Sequence, residues 1–266
     1  MTMSNEFHET EIEQPKATMK EDSIATSQSD FEASLDIDDP YVPLPAQTSE
    51  RVMRGFSVGL PSPLTVEQIQ LRNTLLLSHE KNGVRSVLLS GLNQGAGTTS
   101  VALAMATALS SDKKTSVLLV DANFDRPGLH RIFGTPETPG LISVLRDGAS
   151  LDDVAVFPGT PQLVVVSAGK PVPGTTLDHK RLAVAIAEVR DSFSFILVDT
   201  APVNTHSDVL LLSSYLDCVA LVVEAERTQR HTLREAINEL NRVQARLLGV
   251  VLNRQKNHLP RSIVKM

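Results

Sequence analysis

Six apolar runs of strand length dominate the chain from about residue 85 onward. They are Arg85 to Ser90, Thr115 to Asp121, Gln162 to Ala168, Ser194 to Asp199, Cys218 to Glu224 and Arg246 to Asn253. Each is continuous rather than alternating, the pattern expected of strands covered on both faces. Helical stretches separate them at 99–110, 178–191, 206–216 and 228–244. The last places Leu233, Ala236, Ile237, Leu240 and Val243 at intervals of three and four, which makes one apolar stripe. Strands alternating with helices predict an α/β fold: a doubly wound, mostly parallel sheet with helices on both faces and right-handed crossovers. The predicted domain runs from 61 to 257, with no internal repeat. Its core must be aliphatic, because tryptophan is absent and aromatics make up 4% of the chain.

The first fifty residues differ in kind. They carry twelve Asp and Glu against Lys16 and Lys20, a net of −10 that leaves residues 51–266 at +4 within a whole-chain charge of −6. Ser, Thr, Glu and Pro are frequent and no period is visible. Such a stretch buries too little apolar surface to offset the entropy of ordering, so 1–60 is expected to be a disordered acidic tail. Phe31 to Pro45 mixes acids with Phe31, Leu35, Ile37, Tyr41 and Leu44. It reads either as a linker with incidental apolar residues or as a short docking motif. A single cysteine, Cys218, excludes an internal disulfide framework and fits a reducing compartment. No apolar run reaches bilayer length, and the N-terminus lacks a signal-peptide core, so a cytoplasmic location is expected. No nucleic-acid partner is expected.

In an open α/β sheet, ligands bind beyond the carboxyl ends of the strands. The first run ends in Ser90-Gly91-Leu92-Asn93-Gln94-Gly95-Ala96-Gly97-Thr98-Thr99. Gly95 and Gly97 let the backbone turn tightly and present N–H groups to an anion at the positive end of the helix beginning near Thr98. Thr99 can offer a hydroxyl to Mg²⁺. Asp121 and Asp199 end two further strands, where carboxylates hold Mg²⁺ or its waters against phosphates. A glycine turn that only joins strand to helix is the alternative reading of the loop, and the two aspartates weigh against it.

Three stretches carry a resemblance. Thr115 to Leu145, "TSVLLVDANFDRPGLHRIFGTPETPGLISVL", resembles the region after the second strand in bacterial tyrosine kinases. These are P-loop proteins tied to capsule and exopolysaccharide synthesis. Ser194 to Asn253 resembles their Walker B strand, D-T-P-P-V-x-x-x-x-D-A, and the remainder of their domain. Leu71 to Ser78 resembles the helix before their first strand. The likeness spans roughly 65–257. Min- and Par-type ATPases share the fold, but their additional loop lysine would fall at Asn93.

The resemblance implies ATP or ADP with Mg²⁺ bound by Gly95, Ala96, Gly97, Thr98, Thr99 and Ser100, with Asn253 at the base. Thr99, Asp121 and Asp199 would be the metal residues, and Asp121 and Asp199 the catalytic ones in an active enzyme. It implies an inner-membrane polysaccharide co-polymerase or export protein as partner, recruitment to that membrane, and homo-oligomers.

Departures from the family pattern are specific. Thr98 stands at the loop lysine, Asn123 at the second carboxylate of D-x-D-x-R, and Asp125 at its arginine. Of the ring-assembly motif E-x-x-R-x-x-R only Arg72 remains, with Val66 and Ile69 at the other two places. Residues 258–266 form a short tail without the family's tyrosine cluster, and the chain's two tyrosines are Tyr41 and Tyr215. Lys113 and Lys114 precede a strand and lie on the wrong edge to replace the missing charge. Arg126, Lys170, Arg227 and Arg230 follow strands and lie on the right one. The expected function is that of a non-kinase regulator or scaffold in exopolysaccharide production, able to hold a nucleotide. The alternatives are an ATPase or autokinase using another cation, and a Min/Par-like positioning ATPase.

Overall fold

The structure, a computed structural model, describes residues 64–172 and 174–255. The acidic tail at 1–60, the Phe31–Pro45 stretch and the tail at 258–266 lie outside them.

Seven strands form one sheet: β1 (Ser86–Gly91), β2 (Val117–Ala122), β3 (Ala155–Val156), β4 (Leu163–Val166), β5 (Phe195–Thr200), β6 (Cys218–Glu224) and β7 (Leu247–Asn253). Their order is β3-β4-β2-β5-β1-β6-β7, and every pairing is parallel except β3 with β4. The long helices are α1 (Val66–Asn82), α2 (Thr98–Ser110), α6 (His179–Val189) and α8 (Arg230–Arg242). Shorter ones are α3 (Leu129–Phe133), α4 (Leu141–Asp147), α5 (Leu151–Val154) and α7 (Ser207–Ser213).

Successive side chains of a strand point to opposite faces, so the central strands feed two cores. Leu88, Leu118, Val120, Val164, Ile196, Val198 and Leu221 point one way, toward the layer built from α4 to α8. Val87, Leu89, Leu119, Val165, Leu197 and Ala220 point the other way, toward α1, α2 and α3. This double coverage is why those strands read as unbroken apolar runs. β7 corrects the expectation that all are covered. It is an edge strand, and Val250 and Leu252 are exposed.

Asp217, just before β6, ties the lower edge of the sheet. Its Oδ2 accepts from the backbone N–H groups of Arg85 and Ser86, both at 2.8 Å, and Arg190 donates to Oδ1 at 3.0 Å. Burial works to raise its carboxyl, and these hydrogen bonds with the Arg190 charge overcome it, leaving the group below the usual carboxylate range. A depressed carboxyl stabilises the fold above its unfolded pKa, and that contribution is lost as pH falls through the folded value. Asp217→Ala leaves two backbone donors and a cation unmatched. It is expected to lower unfolding stability by about 1–3 kcal/mol at pH 7 in urea titrations, with the deficit narrowing below pH 4.

Candidate phosphate and cation site

β1 and β5 are neighbours whose crossovers leave in opposite directions, from β1 to β2 and from β5 to β6. That arrangement opens a crevice where ligands bind in such sheets. The glycine loop fills its floor. Gly95 and Gly97 both adopt positive φ, +86° and +88°, and Ala96 N–H donates to Asn93 O at 3.2 Å. Gly97 caps α2 without a side-chain bond, so the first backbone donors of that 13-residue helix remain available to an anion. Ala96 is buried, Thr98 and Thr99 are half-buried, and Ser100 is exposed.

Asn253, at the end of β7, clamps this loop. Its amide donates to Ala96 O at 2.8 Å, and its Oδ1 accepts from Arg254 N–H at 2.9 Å. A Cβ placed on Gly97 would stand 2.2 Å from the same amide nitrogen. The positive φ favours glycine at 97, and a side chain there would also displace the Asn253 amide. Asn253 thus lies beside the loop, with its amide engaged by the loop backbone.

Thr98 packs inward. Its hydroxyl lies 2.9 Å from where a Cβ on Gly91 would stand. The group at the lysine's place thus sits against the end of β1 and carries no charge.

Asp121 and Asp199 are paired in register at the carboxyl ends of β2 and β5, and both are fully buried. Their surroundings differ. Asp121 accepts from the N–H groups of Asn123 at 3.1 Å, Gly128 at 2.9 Å and Leu129 at 3.0 Å. It therefore anchors the 123–129 loop and the start of α3. Burial still raises its carboxyl, although these three bonds and His130 pull the other way. Asp199 has no hydrogen-bond partner on either carboxylate oxygen. Burial, and next the charge of Asp121, push it up to about 8, while the Thr99 hydroxyl, which faces it without closing a regular hydrogen bond, pulls it down.

Two buried acceptor oxygens without donors fit a divalent cation. Thr99 and Asp199 would hold it, with Asp121 shaping the loop beside them. A cation there would neutralise phosphate charge and fix Asp199 in its ionised form. Among the described residues no group of three or more His, Cys, Asp and Glu gathers into a closed metal cage, so a nucleotide's own oxygens would complete the shell.

The remaining strand-end residues divide. Asp125, at the family's arginine position, pairs with His206 Nε2 at 3.0 Å. Arg227 and Arg254 both pair with Glu224, at 3.4 and 3.2 Å. Arg126 and Lys170 are exposed. Asp208 is a structural tie that sequence reasoning misses. Its Oδ2 accepts from Leu177 N–H at 2.7 Å and fastens the segment before α6 to α7. Its place in the Walker B-like stretch is the one signal that could have found it.

A seven-stranded, mostly parallel sheet with a glycine loop after β1 and buried aspartates ending β2 and β5 defines a P-loop protein. No family model matches the chain. EpsB of Ralstonia solanacearum, named among the tyrosine-protein kinases, is 28% identical over 226 residues, covering 83% of this chain and 30% of EpsB. The tyrosine-protein kinase CpsD of Streptococcus agalactiae is 27% identical over 187 residues, 69% of this chain and 80% of CpsD. The crystal structure of the VpsO kinase domain superposes with a TM-score of 0.63 at 26% identity, covering 71% of this chain and 95% of that domain. This chain is thus similar to bacterial tyrosine-protein kinases over 69–83% of its length. It spans less than a third of the length of EpsB. Among the described residues no helix is long and apolar enough to cross a membrane.

Proposed function

We propose that this chain is a cytoplasmic, non-kinase member of the bacterial tyrosine-kinase family: a nucleotide-holding regulator or scaffold in exopolysaccharide or capsule production. In this reading it works beside an inner-membrane co-polymerase or export protein, which recruits it to the membrane. The observation that carries the reading is the charge at the loop. Thr98 supplies a hydroxyl turned toward Gly91 where a lysine would face the phosphates. Asp125 supplies a carboxylate, bound to His206, where an arginine would stand. Phosphoryl transfer is catalysed mainly by positioning and by neutralising the transferred group. The loop keeps its backbone donors for binding and lacks the cation for transfer. Tyr215, exposed beyond α7, is isolated from any tyrosine cluster.

Calorimetric titration with ATP and ADP, with and without Mg²⁺, together with turnover and phosphotyrosine assays, tests this. Binding that strengthens with Mg²⁺, background turnover and no tyrosine phosphate are expected. No binding at millimolar nucleotide would remove the nucleotide from the reading. Turnover that is abolished by Asp199→Ala would overturn the non-catalytic part.

One observation favours the second reading, an ATPase with a substitute cation. The Arg126 guanidinium has no ion-pair partner among the described residues, and its loop touches the site, where a Cβ on Gly128 would lie 3.5 Å from the Thr99 methyl. Arg126→Ala separates the readings, because turnover that depends on this residue would identify the cation.

A further inference from the structure

One peptide of the glycine loop has two ways to face. The Ala96–Gly97 unit is a rigid plane whose carbonyl and N–H point in opposite directions. Gly97, at a φ of +88°, has no Cβ and accepts either sign of φ, so the plane turns with little steric resistance on its glycine side. One orientation adds the Gly97 N–H to the donors that α2 offers an anion. The other puts the Ala96 carbonyl oxygen in that place, which removes a donor and repels the anion.

Asn253 selects between them. Its Nδ2 donates to Ala96 O at 2.8 Å and holds that carbonyl on the β7 side of the loop. The Gly97 N–H consequently points away from Asn253. The same amide packs on Gly97 and fills the space a Cβ would need. Asn253 is itself braced. Its Oδ1 accepts from Arg254 N–H at 2.9 Å, with Arg254 at a φ of +56°, uncommon for a residue with a side chain. The Asn253 carbonyl accepts from Ala225 N–H at 2.9 Å. The Arg254 guanidinium pairs with Glu224 at 3.2 Å, and Glu224 also pairs with Arg227 at 3.4 Å. The ends of β6 and β7 thus fix the direction of one amide, and both its polar atoms are engaged within the protein.

Building on the nucleotide-holding reading of the loop, we infer that Asn253 is a positioning residue for the phosphate chain and not a selector of the base. The ligand chemistry it serves is the polyphosphate common to all nucleotides, bound by backbone donors whose direction Asn253 sets. A base-selecting asparagine would act on the nucleotide alone. A positioning one acts equally on a phosphate chain that carries no base.

Calorimetric titration of the full chain with Mg²⁺-ATP and with inorganic tripolyphosphate in Mg²⁺ separates the two roles. Asn253→Ala is expected to weaken both ligands by the same factor, on the order of tenfold, because one organising hydrogen bond is lost. Asn253→Asp keeps the size, removes the donor and sets an acceptor against Ala96 O, so it should weaken both ligands further. Amide NMR reads the loop directly. In ligand-free Asn253→Ala the Gly97 resonance should broaden or split as the peptide samples both orientations, while the resonances of β1 and β5 stay in place. A loss for ATP alone, with tripolyphosphate affinity unchanged, would make Asn253 a base contact and overturn the inference while leaving the nucleotide reading intact. Unchanged affinity for both ligands in the two variants would also overturn it, as would a Gly97 resonance identical to that of the wild type. A wild-type protein that binds neither ligand would remove the nucleotide reading itself, and the inference with it.

Discussion

Asp199→Asn is expected to stabilise the ligand-free protein at alkaline pH and to leave it nearly unchanged below pH 4. Asp199 has both oxygens buried without donors, and burial together with the Asp121 charge raises its carboxyl to about 8. The unfolded chain releases that proton near the ordinary value of about 4. Between these two pH values the native state holds the extra proton, so stability falls as pH rises, and the loss is complete above pH 8. At about 1.4 kcal/mol per unit the upper bound is roughly 6 kcal/mol. Below pH 4, where the acid is protonated in both states, it has the same shape and charge as the amide, which limits the difference to about 1 kcal/mol. Urea unfolding of both proteins from about pH 3.5 to 9 should therefore give curves that diverge upward in favour of asparagine. A constant offset across that range would contradict the placement of Asp199. The same carboxyl must lose its proton to hold a metal. Mg²⁺ binding in the wild-type protein should accordingly release close to one proton at pH 7 and tighten with pH up to about 8.

What makes Asp199 visible in sequence is its position, the last polar residue of a continuous apolar run. The same logic locates β1, β2, β5 and β6, where burial on both faces leaves no alternation to confuse the reading. It fails where elements are too short to show a period. α3, α4 and α5 span five, seven and four residues and β3 only two, and none is legible in the sequence. α1 is legible only through family likeness. Its apolar residues lie on two opposite sides and show no single stripe. Roles are harder to read than places. Asp121 and Asp199 look alike in sequence, yet three backbone donors occupy the first and none reaches the second. The Asn253 clamp on Ala96 joins residues 157 positions apart, and no local pattern encodes it. Asp125 reads as a lost arginine, and only the folded chain supplies His206 as its partner.

Thr98→Lys tests whether the loop is a phosphate site deprived of one charge, and the expected gain is large. The backbone donors of Gly95 to Ser100 and the positive end of α2 already favour an anion, but only through partial charges. An ammonium at 98 adds a charge-assisted contact worth about 1.5–3 kcal/mol, or roughly 10–150-fold in ATP affinity. Gly91 has no Cβ beside position 98, where one would come within 2.9 Å of the Thr98 hydroxyl. The gain should be larger in the transition state, where charge gathers on the transferred group and a single cationic finger is worth about 10³–10⁵ in rate. A measurable ATPase, at least about 100-fold above the wild-type background, is therefore the expected outcome. Asn123→Asp added to Thr98→Lys should increase it further, since it returns a carboxylate to the cation side of the site. Tyrosine phosphorylation should remain undetectable in both variants, because the chain offers only Tyr41 and Tyr215 as acceptors. If the lysine changes neither affinity nor turnover, the glycine turn is a connector and the binding reading fails. If the wild-type protein already turns over as fast as the variant, another cation completes the site, and Arg126 is the residue to remove next.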